Sequence, residues 1–137
     1  MAVASGTNCL DQGPLRVLLG KQLSTIEKHP YSWAFHFDNA ILDALSLWRL
    51  LARGTILVTS ADDGHLFGLP SPVDAKSLIQ QEVGAHSVVT VESGLAPSDL
   101  RVHFENEVVL EILNLSAGYE CWTLNGPDGL MVIGRNI

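Results

Sequence analysis

Asp62-Asp63-Gly64-His65 is the stretch whose residue types could do chemistry most directly. Carboxylates beside an imidazole can relay protons, so a hydrolytic or small-molecule site could be built on Asp62, Asp63 and His65. The same letters also read as turn chemistry, with Asp-Asp-Gly reversing the chain and His65 starting the next strand. No nucleophile or oxyanion feature accompanies them. Ser24, Ser32, Ser60, Ser87 and Ser98 lack a nucleophile-elbow context, and phosphate-loop, dinucleotide and zinc-finger patterns are missing. No catalytic residue is therefore assigned, and an enzyme is the weaker expectation.

His36 and His103 form a second candidate. Brought together, the two imidazoles could share a proton or hold a metal ion. A metal site wants further ligands at short spacing, and the sequence shows none, so duplicated solvent-facing strand positions are the simpler reading. Neither a metal nor a cofactor is expected. The remaining aromatic and charged mass lies in Trp48-Arg49 and Tyr119-Glu120-Cys121-Trp122. Trp, Tyr and Arg anchor interfaces, but in a small β protein they also fill or cover the core. Cys121 has no adjacent cation to lower its pKa and reads as a buried structural thiol.

The elements that must position these residues are repeated. At a constant offset of 67, His36-Phe37-Asp38-Asn39 meets His103-Phe104-Glu105-Asn106. Leu23–Glu27 resembles Val88–Glu92, and Asp63-Gly64 resembles Asp128-Gly129. A fixed-period echo is an architectural signal. Pro14 to Gly20 suits a short helix with Pro inside its start and Gly past its end. Ser71, Pro72 and Asp74 open a second helix, Val73 to about Val83, closed by Gly84. Short β-branched or alternating runs follow each helix. Trp33, Phe35 and Phe37 form one buried stripe, and Leu100, Val102 and Phe104 another, with His36 and His103 on the opposite faces. Asn39 and Asn106 suit the hairpin turns because Asn tolerates positive φ. Thr55–Ser60 and Glu120–Leu124 are further strands, and His65-Leu66-Phe67 and Leu130–Ile133 return from them.

The expected fold is α+β: two tandem helix-plus-antiparallel-meander repeats, about 14–69 and 70–134, packed with pseudo-twofold symmetry into one domain spanning 1–137. The length fits one domain with a core of its own. The composition, 47% apolar and 17% charged, is that of a globular chain. Eight Lys and Arg against fifteen Asp and Glu give a formal net charge of −7. The scattered cations argue against nucleic acid, and the acidic balance would steer a basic protein partner. The first residues carry no signal-peptide pattern, and the apolar runs are too short for a bilayer span, so no membrane is expected and a cytoplasmic setting is. The two cysteines make no disulfide framework.

Three blocks carry a family resemblance: Trp48-Arg49-Leu50, Asp62 through Ala75, and Gly118 through Gly129. Together they resemble a family of small bacterial proteins of unknown function. In that family a Trp-Arg block, an acidic turn with His and a closing Tyr-Glu-x-Trp-x-Leu-x-Gly-Pro stretch recur. Asp63-Gly64-His65 departs from the Asp-His-Gly order the family would have. The resemblance implies no established reaction; some members look like immunity-type proteins encoded near bacterial toxins. The functional expectation is a non-enzymatic, accessory or immunity-like module that binds a protein, with Trp48, Arg49, Tyr119, Glu120 and Trp122 as contact residues. The alternatives are a small-molecule or hydrolytic site in a cleft between the repeats, and a homodimer that buries an open sheet edge.

Overall fold

The computed structural model describes residues 13–94 and 98–134; Cys9 and the segment before Gly13, expected to fray, lie outside them. In chain order the strands are β1 (Thr25–Lys28), β2 (Trp33–Phe37), β3 (Ala40–Ala44), β4 (Trp48–Ala52), β5 (Thr55–Thr59), β6 (Val88–Ser93), β7 (Leu100–Phe104), β8 (Val108–Ile112), β9 (Trp122–Asn125) and β10 (Met131–Gly134). One α-helix, α1 (Ala75–Val83), sits between β5 and β6 among the described residues. Two sheets result, ordered β1-β2-β3-β9-β10 and β5-β4-β8-β7-β6, with every pairing antiparallel.

This overturns the α+β expectation. The protein is mostly β, and it is not a pair of helix-plus-meander repeats. Two physical reasons account for the difference. Pro14–Leu18 is too short for an α-helix and closes as a 3-10 turn that buries Leu15 and Leu18. A meander also has open edges, and an unpaired edge strand seeks a partner. The free edge of β3 is taken by β9 and that of β8 by β4. Each sheet is thus a three-stranded meander completed by a hairpin from the other half of the chain.

The strands form where the sequence alternates. Trp33, Phe35 and Phe37 of β2 and Leu100, Val102 and Phe104 of β7 are buried, with His36 and His103 on the outer faces. The two sheets meet through these stripes. Trp48 lies edge-on to Trp33 (centroids 5.1 Å apart) and to Phe35 (5.7 Å), and Phe37 stacks on Phe104 (6.3 Å). Burying each such ring contributes about 2–3 kcal/mol before entropy is counted. The hairpin turns use positive φ, but at Asp38 (61°) and Glu107 (65°), not at the expected asparagines. Asn106 instead donates its side-chain amide to the Glu82 carbonyl near the end of α1.

The helix starts two residues later than expected. Asp74, not Ser71, is its cap and accepts from Ser77 N–H at 3.1 Å. Gly84 closes it with a φ of 56°. Trp48–Ala52 is a central strand that the sequence reading left unassigned, and His65-Leu66-Phe67 is not a strand.

The pairings also sort the connections by end. Trp33↔Ala44↔Trp122, Trp48↔Ile112↔Leu100 and Arg49↔Thr59 align the same end of both sheets. The two longest connections, residues 60–74 and 113–121, leave there together with 29–32 and 45–47, while the turns at 38–39, 53–54 and 105–107 and the connection 126–130 occupy the opposite end.

Candidate binding surface

The expected contact residues divide sharply. Trp48 and Trp122 are wholly buried. They are core residues, not interface anchors, and Trp122 Nε1 donates to the Ser98 carbonyl at 2.9 Å. Arg49 lies on the outer face of the second sheet, in a row set by strand register: Arg49 on β4, Glu111 on β8, Arg101 on β7 and Glu92 on β6. Arg49 Nε and Arg101 Nε donate to the two oxygens of Glu111 at 2.5 and 2.8 Å, and the Glu111 side chain is 7% exposed. The Arg49–Glu111–Arg101 bonds tie β4, β8 and β7 together.

The acid–histidine cluster is structural at both aspartates. Asp62 Oδ2 accepts from Thr59 N–H at 2.9 Å. Asp63 Oδ1 accepts from Ala75 N–H at 2.9 Å, and its Oδ2 lies 2.6 Å from Lys28 Nζ. Asp63 therefore joins β1, the long loop and the first turn of α1. His65 is exposed and stacks on Phe67, with centroids 5.6 Å apart. The carboxylates face backbone donors and a lysine, so the three groups do not converge on a reacting position.

Burial pushes the Asp63 carboxyl up, but Lys28 and the Ala75 N–H outweigh it and hold the group below its ordinary 3.8. A depressed folded-state pKa stabilises the fold above the unfolded value, and that contribution is lost as pH falls through the folded value. Asp63→Asn is expected to cost about 1 kcal/mol at pH 7, since Lys28 is half exposed. In urea melts at pH 7, 5 and 3 the gap to wild type should persist at pH 5 and narrow below 3.8. A gap of equal size at all three would sink the assignment.

The two symmetric histidines sit in different sheets, each facing outward with its own carboxylate. His36 Nε2 is 2.7 Å from Glu27 Oε1, and His103 Nε2 is 2.6 Å from Glu92 Oε1. The bond to His36 holds the Glu27 carboxyl below its ordinary value. The histidines are thus duplicated in role as well as position, each joining an edge strand to its neighbour. No group of three metal-ligating side chains occurs among the described residues. Cys121 is buried and free; burial pushes its thiol up to about 11, and Sγ donates to the Gly134 carbonyl at 3.1 Å.

Tyr119 and Glu120 are the expected contact residues that do lie on the surface of the long-loop end. There Leu45 is shared by two neighbouring recesses. One, of about 300 Å³, is lined by residues that include Lys28, Tyr31 and Ser60. The other, of about 420 Å³, is lined by Leu45, Gly118, Tyr119 and Glu120. Of the twelve exposed large hydrophobic residues among those described, seven sit on the long connections of this end: Tyr31, Leu45, Leu66, Phe67, Leu69, Leu115 and Tyr119. They include every exposed aromatic residue, with Tyr31 93% and Tyr119 81% accessible.

Comparison with protein-family models, with curated proteins and with solved structures returned no match. The site therefore stands on its geometry. Tyr31, Leu66, Phe67, Leu69 and Leu115 were missed in the sequence. Tyr31 follows Pro30 in a turn, and Gly68 after Phe67 is a turn signal that should have ended the strand assigned to His65-Leu66-Phe67. No helix among the described residues is long and apolar enough to cross a membrane.

Proposed function

We propose that this protein is a non-enzymatic binding module that holds a basic protein partner against its long-loop end. The observation that carries the reading is the gathering of the exposed aromatic side chains on loops that leave one end of a rigid two-sheet scaffold. Recognition residues concentrate on such loops because the scaffold fixes them while the loops stay free to vary. Tyr offers large, stiff, amphipathic area, the kind that anchors interfaces. The loop end carries Asp62, Asp63, Asp74, Asp99 and Glu120 against Lys28 and Lys76, and the whole chain bears −7. Charge of that sign speeds encounter with a cationic surface. A cytoplasmic accessory role of the immunity type, as the block resemblance implies, belongs to this proposal. The hydrolytic alternative has less support, because Asp62 and Asp63 are engaged by Thr59, Ala75 and Lys28.

The test is comparative capture from an extract of cells that express the protein. Tyr31→Ala combined with Tyr119→Ala is expected to lower retention of the partner at least tenfold with an unchanged melting temperature, and raised salt should release it from the wild type. Ile56→Ala and Met131→Ala, exposed on β5 and β10, serve as controls. Undiminished capture by the double variant, with loss in the controls, would move the interface to a sheet edge and defeat the reading.

A further inference from the structure

We propose that His65–Leu69 is a preformed apolar finger that inserts into a hydrophobic socket, rimmed by Lys and Arg, on a protein partner. The inference rests on the binding-module reading and names the element that enters the partner.

The loop exposes apolar side chains that its own fold does not use. Leu66 is 52% accessible, Phe67 66% and Leu69 54%. Three such residues within four positions make a cluster, whereas single exposed hydrophobics are ordinary. The backbone is also held in a costly conformation. Phe67 has a φ of 47°, a region that bulky residues rarely occupy. Asp38, Arg53 and Glu107 share positive φ in tight turns, and Phe67 with Gly68 (φ 77°) makes a turn of the same kind, but only here does a bulky aromatic residue take the strained position. Strain of this kind persists where the surroundings over-determine the backbone, and it marks functional loops.

Those surroundings are visible. Leu69 N–H donates to the Leu66 carbonyl at 2.7 Å and closes the tip. Gly64 N–H donates to Val73 O, and Val73 N–H donates to His65 O, both at 2.8 Å, so the two legs of the loop are laced together. Asp62 and Asp63 tie the base to Thr59, to Ala75 and to Lys28. The His65 ring stacks on the Phe67 ring at 23° between planes. A finger fixed before contact loses little conformational freedom on binding, which favours affinity. Asp62, Asp63 and Asp74 outnumber Lys28 and Lys76 around the base, so the rim that fits is cationic.

The test uses the full-length protein carrying a photo-crosslinking p-benzoylphenylalanine at position 67 or, separately, at position 119, irradiated in an extract of expressing cells at low salt. It is paired with Phe67→Gly, which removes the ring and relieves the left-handed strain. The expected result is one and the same basic protein crosslinked from both positions. Phe67→Gly should then lose at least tenfold of its capture while its melting temperature stays level or rises. Crosslinking from position 119 without position 67, with capture by Phe67→Gly intact, would overturn the finger and leave the binding-module reading standing. No crosslink from either position would overturn both. A crosslink from position 67 to a second copy of this chain, or vesicle binding of the wild type that Phe67→Gly abolishes, would also overturn the proposal, by assigning the finger to self-association or to a lipid surface.

Discussion

Gly134→Ala is expected to destabilise the fold by about 3 kcal/mol, the result of forcing a side chain into a filled space. A Cβ at Gly134 would lie 2.1 Å from both Cε2 and Nε1 of the Trp122 ring, closer than any real contact. The two residues are direct partners across β9 and β10. Neither has room to retreat. Trp122 is fully buried and donates Nε1–H to Ser98 O, while the Gly134 carbonyl accepts from Cys121 N–H at 2.8 Å and from its thiol. For a chain of this size the loss corresponds to a fall in melting temperature of about 10 °C. Thermal and urea melts of Gly134→Ala beside Ile133→Ala, a partly exposed neighbour on the same strand, separate the clash from strand weakening. Parity between the two variants would show that the indole can move, and would refute the packing described.

The second large effect is expected at Glu111. Its carboxylate is nearly buried and receives one Nε–H from each of Arg49 and Arg101. Glu111→Ala leaves two guanidinium groups facing each other across an empty position. Breaking a buried pair costs about 3–5 kcal/mol, but the arginines are 34% and 44% exposed and water screens part of the repulsion. A loss of about 2 kcal/mol follows. Three further readings should agree. Arg49→Ala in the Glu111→Ala background should cost less than in the wild type, because the pair is already broken. Molar salt should recover part of the deficit by screening the two cations. Capture of the partner should survive, because Arg49, Glu111 and Arg101 bond to one another on the outer face of the sheet, although they stand only one position in from the long-loop end. A Glu111→Ala variant within 0.5 kcal/mol of wild type would remove the row from the stabilising framework.

The strands were legible where one face is apolar. Trp33-x-Phe35-x-Phe37 and Leu100-x-Val102-x-Phe104 sit in register as the alternation demands. Pairing between distant strands was not legible. An echo at offset 67 says that two stretches fold alike, but not whether β3 pairs within its own half or with β9. That choice depends on which open edge is nearest once both halves collapse, a tertiary matter. Trp48 was misread because Trp-Arg beside each other suggests an anchor, whereas alternation sends Trp48 inward and Arg49 outward along a strand. Asp62 and Asp63 illustrate the same limit for the site. The letters of a catalytic cluster and of a capped turn are identical, and the hydrogen-bond partners decide between them. Phe67 was hidden because His65-Leu66-Phe67 was taken as a returning strand, whereas Gly68 turns the run and leaves it in solvent.

The exchange of hairpins between the sheets has a consequence for how the chain assembles. The second sheet draws all its strands from residues 48–112, whereas the first is split between residues 25–44 and 122–134. One sheet is therefore nested in sequence inside the other. During synthesis the inner sheet can form while β1, β2 and β3 still wait with an open edge, and they stay open until β9 and β10 emerge. Closing that edge joins segments some eighty positions apart, such as Asp43 and Thr123, so it is the late and slow event set by contact order. In that interval the apolar faces of Phe35 and Leu42 are the exposed liability. The clamp between Gly134 and Trp122, made by the last strand to arrive, ends it.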